Sequence, residues 1–476
     1  MIKGLSRMCH LTPYALLLIL TMTPPLPAQW EPDVRLTYNR AESYTSYNNA
    51  WCVAASGDTV HVVWRDYRNN RPHLYYKRST DGGSGWGPDT CFGDSSSVSY
   101  DPSVAARGST VHIVWDDQRD GNYEIYYKRS TDGGTTWEPD VRLTSSDSAD
   151  SQHPSLAAAD SVLHAVWEDY RGRLFPAIFY KRSTDGGTTW GPDSRLSDGP
   201  ASSGLPAVAV SDLNVHLVWY DNRDGNAEIY HKRSTDGGST WSQDSRLTYA
   251  PEDSWFPCLA VSGRNVHVVW NDQRDGNGEV YYKRSTDGGG AWSSDTNMTN
   301  DAAWSGSPSI AVSGPRVHLV YEDERLGSYN TEIYYLPSTD DGSSWGPEAR
   351  LSNGPFYSDY PSIAVSGAKI HVVWFDVRVG YWEIFYKRNP TGNVGRETAG
   401  GAGRRVAAGL RPIPNPFTSQ ARIPGHEAER FSLYDISGRQ VGICQGDRIG
   451  ENLPPGVYFL RGRNQNDQPI RVVKVR

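Results

Sequence analysis

Short apolar runs, each ended by Gly, Asp, Asn or Pro, fill the chain from Trp30 to Asn389. Runs of four to eight residues bounded by turn formers predict β-strands rather than helices. The most regular run is Val-His-x-Val-Trp. It occurs at Val60–Trp64, Val111–Trp115, Leu163–Trp167, Val215–Trp219, Val266–Trp270, Val317–Tyr321 and Ile370–Trp374. The histidines of these runs, His61, His112, His164, His216, His267, His318 and His371, recur every 51 to 53 residues. Each interval holds four strand-like segments. In one unit they are strand A at Pro102–Ala105, strand B at Val111–Trp115, strand C at Glu124–Lys128 and strand D from Trp137 to Leu143. A period of this length filled with four strands reads as one blade of a β-propeller. Strand A carries Ser, Ala and Cys, as innermost strands converging on an axis must.

A second motif, Ser-x-Asp-x-Gly-x-x-Trp, joins strands C and D. Its aspartates are Asp81, Asp132, Asp185, Asp236, Asp287 and Asp340. The Gly residues supply the positive φ of a tight turn, and the Asp carboxylate and Ser hydroxyl can accept turn amides. Seven B strands against six such turns leave one strand D missing. The segment Trp30-Glu31-Pro32-Asp33-Val34-Arg35-Leu36-Thr37 repeats Trp137-Glu138-Pro139-Asp140-Val141-Arg142-Leu143-Thr144 residue for residue, while the last unit runs from Lys387 into Asn389-Pro390. The start of the chain therefore supplies the outermost strand of the last blade, and the expected fold is an all-β, seven-bladed propeller closed by its own N-terminal strand.

Composition agrees, with 28 Tyr, 17 Trp and 47 Gly against 4 Met. A net charge of −8 without any basic block argues against nucleic acid as a partner. Residues 1–29 stand apart: Lys3 and Arg7 precede the apolar Tyr14–Leu20, and a Pro-rich stretch ends near Ala28. This reads as a signal peptide, too short to span a membrane stably, so the expected location is secreted or attached to the outer surface, as a monomer. Cys52 and Cys258 share a strand A slot that is Ser103, Ser155, Ser309 and Ser362 elsewhere and Ala207 once, which favours small core thiols over a disulfide. Cys9 leaves with the signal peptide. The domain reading is thus 1–29 signal peptide, 30–390 propeller, 391–409 a Gly-rich flexible linker, and 410–476 a small strand-rich module with runs at Phe431–Asp435, Gly456–Leu460 and Val472–Val475.

The Ser-x-Asp-x-Gly-x-x-Trp turns resemble the Asp-box, or BNR, repeats of sialidase-like propellers. That resemblance implies the fold over residues 30–388, and it places the turns on the face away from the active site. The tail, with Pro414-Asn415-Pro416-Phe417, Tyr434-Asp435-Ile436-Ser437-Gly438-Arg439, Gly456-Val457-Tyr458 and the basic end Val472–Arg476, resembles a type IX secretion sorting domain. It implies an Ig-like β-sandwich and the type IX machinery as a partner.

The seven repeated histidines sit one per blade and cannot converge on a metal, so each is read as structural, hydrogen-bonded to a neighbouring blade. An Asp-x-Arg follows every strand B, from Asp66/Arg68 to Asp376/Arg378, and is read as an ion pair tying each blade to the next. Asp120-Gly121-Asn122 looks like half a calcium loop but is explained as a type I′ turn. No cofactor or metal is expected. A sialidase needs three arginines from different blades, and the Arg-Ile-Pro motif of that family occurs here only as Arg422-Ile423-Pro424 in the tail. No catalytic residue is carried over. Thirteen of the 17 Trp are repeat positions; the others are Trp51, Trp255, Trp304 and Trp382, all in or beside the D-to-A and B-to-C connections that share one face. With Phe256, Tyr357 and Tyr360 they form the candidate ligand site, while Tyr47 and Tyr100 lie in the same connections. The expectation is a non-catalytic binder of a glycan or surface protein; the alternative is an exo-acting sialidase-type glycoside hydrolase.

Overall fold

The computed structural model describes residues 30–392, apart from 48–50, 94–95, 146–148, 172–174 and 328–329, together with 430–435, 439–445, 448–449, 454–461 and 470–474. Seven antiparallel sheets form the blades of a β-propeller. In blade 2 strand A is Ser99–Arg107, strand B Thr110–Asp117, strand C Glu124–Ser130 and strand D Val141–Arg142. Strand D is shorter than the sequence suggests, with only Val141 and Arg142 facing Tyr127 and Tyr126. Pro139 has no amide to donate, and Trp137 leaves the sheet to pack edge-on against Tyr76 of the preceding blade at 4.9 Å. In blade 1 strand A is split into Ser43–Tyr44 and Val53–Ser56. Blade 7 takes Val34–Arg35 as its strand D, paired with Tyr386 and Phe385, so the N-terminal strand closes the ring.

Why this sequence packs as a ring is visible in four repeated contacts. First, small strand A hydroxyls link neighbours: Cys52, Leu156, Val208 and Ile363 donate their amides to the Oγ of Ser362, Ser103, Ser155 and Ser309, respectively. Cys52 and Cys258 are buried free thiols. Secondly, each strand B Trp is buried and donates its indole N–H to the Asp two residues on, as Trp115 does to Asp117 at 3.1 Å. Thirdly, that Asp is held by the Arg of Asp-x-Arg, which also reaches a strand D carboxylate: Arg119 bridges Asp117 and Asp140. The clamp lies within one blade rather than between blades, because strand D of the same sheet runs beside the turn that carries the arginine. In blade 7 the strand D carboxylate is Asp33, so Arg378 also secures the closing strand. Fourthly, each strand B His bonds a strand C side chain of its own blade, as His61 Nδ1 does with the Tyr76 hydroxyl at 2.7 Å, and not a neighbouring blade. It is the tyrosine that meets the neighbour: a Cβ on Gly134, at φ 81°, would lie 1.9 Å from that hydroxyl. Only glycine satisfies both the backbone angle and the space.

The Asp-Gly-Asn turn also differs from expectation. Gly121 donates to Gln118 and takes a positive φ alone, a type I turn closed by glycine rather than type I′. Asp120 is occupied by the Tyr126 hydroxyl and Arg142.

The described tail residues form one four-stranded antiparallel sheet in the order Gln440–Gln445, Arg430–Asp435, Gly456–Arg461, Ile470–Lys474, with Phe431, Leu433 and Leu460 buried. The first of these strands was not anticipated from the sequence. Residues 1–29, the 393–429 part of the linker and tail, and Cys9 lie outside the described residues, as does Arg422-Ile423-Pro424. Among the described residues no helix is long and apolar enough to cross a membrane.

Two outcomes follow. Glu383 is fully buried and takes the Thr37 hydroxyl and Arg35 from the closing strand. Thr37→Val should therefore lower stability by about 1–3 kcal/mol, read as the urea midpoint. The seven strand B histidines are held neutral, pushed down to about 4 chiefly by burial. Their folded values lie below the unfolded value of about 6.5, so the unfolded chain binds more protons and stability falls as pH drops from about 6.5 through 4. Urea unfolding across that window should show a steep decline; a flat profile would contradict it.

Candidate functional site

Strand A opens with a serine in every blade, and its Oγ donates to the clamped Asp of strand B, as Ser99 does to Asp117 at 2.7 Å. Two residues later the backbone turns to positive φ at Asp101, His153, Leu205, Phe256, Ser307 and Tyr360, and a proline follows. The register with strand B shifts at this point, a β-bulge that re-aims the side chains at the loop-bearing end of the channel. Opposite the bulge stands the residue after the strand B Trp. In chain order it is Arg65, Asp116, Glu168, Tyr220, Asn271, Glu322 and Phe375. These are the positions at which an otherwise regular repeat is irregular, and they ring the mouth.

Some of this ring is architecture. Glu168 accepts the Leu205 amide of the next blade at 2.6 Å, Glu322 accepts the Tyr360 amide at 2.6 Å, and Asn271 donates to the Ser305 carbonyl at 2.7 Å. Each satisfies the next blade's strand A near its bulge. Two members depart from this. Asp116 is 2 % exposed, and among the described residues its Oδ1 has no hydrogen-bond partner. Burial, then the charge of Asp101, hold its carboxyl well above the usual range. Arg65 is 6 % exposed and clasped by the rings of Tyr44, Tyr47, Tyr67 and Tyr100 at 4.7–5.6 Å. Among the described residues no carboxylate lies within ion-pair distance of it.

Between them lies a charged chain across blades 2 and 3. His153 is 3.4 Å from Asp101 and 3.0 Å from Glu168. Burial depresses the imidazole, but Glu168 and then Asp101 and Asp116 outweigh it and push it up to about 10, so His153 is an imidazolium at neutral pH. Asp101 in turn accepts the Tyr47 amide at 3.1 Å and the Ser46 hydroxyl. On the other side of the mouth burial, followed by Asp359, raises Glu322 to about 8, and burial raises Asp359 to about 7. Among the described residues no group of His, Cys, Asp and Glu is disposed to hold a metal.

The aromatic candidates are half-buried rather than exposed, and they do not make one ring. Tyr357, Tyr360 and Trp382 are brought together. Trp382 lies 6.1 Å from Tyr357 and 5.0 Å from Phe375, Phe375 stacks on Tyr360 at 5.5 Å, and Tyr360 meets Tyr47 at 4.9 Å. Through Arg65 this arc continues to Tyr100 and Tyr123, which are 5.8 Å apart. Phe356 and Tyr381, 53 % and 44 % exposed, precede Tyr357 and Trp382 in the chain. Trp255 stands elsewhere, against Tyr220 at 4.4 Å, with Phe256 next to it on the bulge. Trp304 lies against Gly278 and Gly306, where a Cβ would come within 2.3 and 2.4 Å of it, so it serves packing. Trp51 is inside the channel. Burial among neighbouring rings, the simplest fate for a long-loop aromatic, accounts for the lost exposure.

Sequence reasoning missed Arg65, Asp101, Asp116, His153 and Glu168. The signal was present as the variable residue inside Trp-x-Asp and the two residues before the strand A proline. Of the arginines, only Arg65 occupies a ring position; those of Asp-x-Arg are committed to clamps.

No family model matches the chain, and no curated protein matches it. Among solved structures it is similar to a polysaccharide lyase of family PL25, an ulvan lyase bound to -[GlcA(1-4)Rha3S]-, at 12 % identity and a TM-score of 0.52 over 74 % of this chain and 95 % of that one. It is also similar to the sialidase of Trypanosoma rangeli, at 14 % identity and a TM-score of 0.43 over 62 % and 55 % of the two chains. An α-L-arabinofuranosidase of Fusarium graminearum matches at 17 % identity and 0.43 over 60 % and 90 %. At these identities the likeness is one of fold.

The charged chain makes a direct prediction. NMR titration of His153 should show it protonated to about pH 10 in the native protein and markedly more acidic in Glu168→Gln. A wild-type titration near the ordinary value of about 6.5 would contradict the assignment.

Proposed function

We propose that the loop-bearing face binds a glycan along the arc running from Phe356, Tyr357, Tyr381 and Trp382 to Tyr360, Tyr47 and Tyr100. The observation that carries this is the continuity of the arc: rings in tilted, edge or stacked contact lead from Tyr357 and Trp382, each next in the chain to an exposed ring, into a mouth lined with carboxyl and phenolic groups. Sugar rings offer an apolar face to aromatic side chains and hydroxyls to carboxylates, so the two halves of this surface match the two halves of a carbohydrate. The Asp81, Asp132, Asp185, Asp236, Asp287 and Asp340 turns are at the other end of the blades and serve the ring. Export fits this reading, supported by the Lys3, Arg7 and Tyr14–Leu20 segment and by the motifs of the tail that resemble a type IX sorting domain.

A second reading is glycoside hydrolysis. What favours it is Asp116, a buried carboxyl whose affinity for its proton is raised by burial and by Asp101, with no partner on Oδ1 among the described residues, beside Asp101 and His153. A sialidase-type exo-hydrolase would hold its substrate carboxylate with three arginines, and the ring positions supply Arg65 alone.

Affinity electrophoresis against xyloglucan, laminarin, xylan, polygalacturonate and chondroitin sulfate should retard the propeller in at least one gel. Trp382→Ala with Tyr357→Ala should weaken that retention by roughly tenfold, as loss of stacking area implies, and Tyr249→Ala, on an exposed ring away from the arc, should not. No retardation in any gel, or equal loss in both variants, would count against the reading. Release of reducing ends that disappears in Asp116→Asn would establish the second.

A further inference from the structure

Trp51 sets the shape of the mouth. Its backbone belongs to blade 1, where its carbonyl accepts the Val104 amide and the following amide, Cys52 N–H, donates to Ser362. Its indole reaches across the channel and packs among blade 4 and 5 residues. The strand A residues of that cluster begin at Ala207 and Leu259, just past the bulge residues Leu205 and Phe256, so the indole lies beneath the ring of mouth side chains. Below it the channel is a cavity of about 230 Å³ lined by strand A Ala and Val. The indole therefore forms a partial floor to the mouth and narrows the way into the channel.

The two sides of that floor are both equipped. Blades 7, 1 and 2 carry the arc. Blades 4 and 5 carry Tyr220 and Trp255, tilted against each other with centroids 4.4 Å apart and both only half-buried. Trp255 sits directly before the bulge, cross-strand from Asn271, whose amide is tied to Ser305. This fixes the backbone that carries the indole. Trp51 starts from blade 1 and packs against blades 4 and 5, so the two aromatic surfaces stand on either side of its indole.

We infer that the Tyr220–Trp255 pair is a second stacking subsite across the mouth from the arc, so that the protein binds an internal stretch of a glycan chain laid over Trp51 rather than a chain end inserted into a pocket. This rests on the glycan reading above. An indole across the way into the channel leaves a terminal sugar less depth to enter and gives a chain laid across the mouth a surface to rest on. Stacking surfaces on opposite sides reward a ligand long enough to touch both.

The test uses the full chain and whichever of the five polysaccharides the gels retain, with a ladder of oligosaccharides cut from it, measured by calorimetry. Affinity should rise with length until both surfaces are spanned. Trp255→Ala should abolish that gain, lowering affinity for the long members by roughly tenfold while leaving the shortest binding member unchanged. Trp255→Phe, which keeps an aromatic face, should retain most of the gain and controls for misfolding. Blocking the polymer ends by reduction should change nothing. Length-independent affinity, indifference to Trp255→Ala, or loss of binding on end-blocking would overturn the inference while leaving the arc intact. Loss of all binding in Trp382→Ala with full length dependence in Trp255→Ala would locate the ligand on the arc alone.

Discussion

In six of the seven blades strand C reaches forward to the hairpin of the following blade, and the ring depends on that contact. Arg78, Arg129, Arg182 and Arg388 donate to the carbonyls of Gly133, Gly186, Gly237 and Gly82 at 2.6–2.7 Å; Arg233 reaches Gly288 and Arg284 reaches Asp341 in the same way. Beside each arginine a tyrosine, or His231 once, abuts the second glycine position of that hairpin. The aspartate of the hairpin is spent on its own turn: Asp132 accepts the Ser130 hydroxyl and the Thr135 and Thr136 amides, which lower its pKa. A rigid hairpin thus presents a fixed carbonyl to the previous blade.

The exceptions confirm the logic. Blade 7 has no such hairpin, and blade 6 has Pro337 where the others have the arginine. Tyr335 of blade 6 packs instead edge-on to Trp30 at 4.9 Å, the tryptophan of the closing segment. In blade 6 Tyr321 also replaces the strand B Trp and Glu348 replaces the strand D Asp, and the longer Glu meets the Tyr hydroxyl. Two substitutions that look like drift in the sequence are one compensated pair in the fold.

Blade number, strand order and the closing role of Trp30–Thr37 were legible because repetition converts weak local signals into a period, and hydrophobic periodicity is what strands write into sequence. The partners of the repeated side chains were not. Val-His-x-Val-Trp does not say whether its histidine meets its own blade or the next, and Asp-x-Arg does not say which carboxylate will share its arginine. The mouth was legible only in part. Trp382 and Tyr357 were found as tryptophan and tyrosine outside the repeat, whereas Asp116 and His153 are ordinary residues whose character comes from burial and from charges on other blades. Trp51, read as a face aromatic, lies beneath the mouth and lines the channel, in the segment that separates the two halves of strand A of blade 1.

The architecture therefore divides the molecule into an end that fastens and an end that varies. Hydrogen–deuterium exchange of the propeller with and without a retained polysaccharide compares the two ends directly. Protection is expected only on the loop-bearing face, in segments 44–47, 98–101, 253–257 and 356–360 and around Trp382. Protection concentrated instead on the hairpins at 81–86, 132–137, 185–190 and 236–241, with the mouth unchanged, would contradict it.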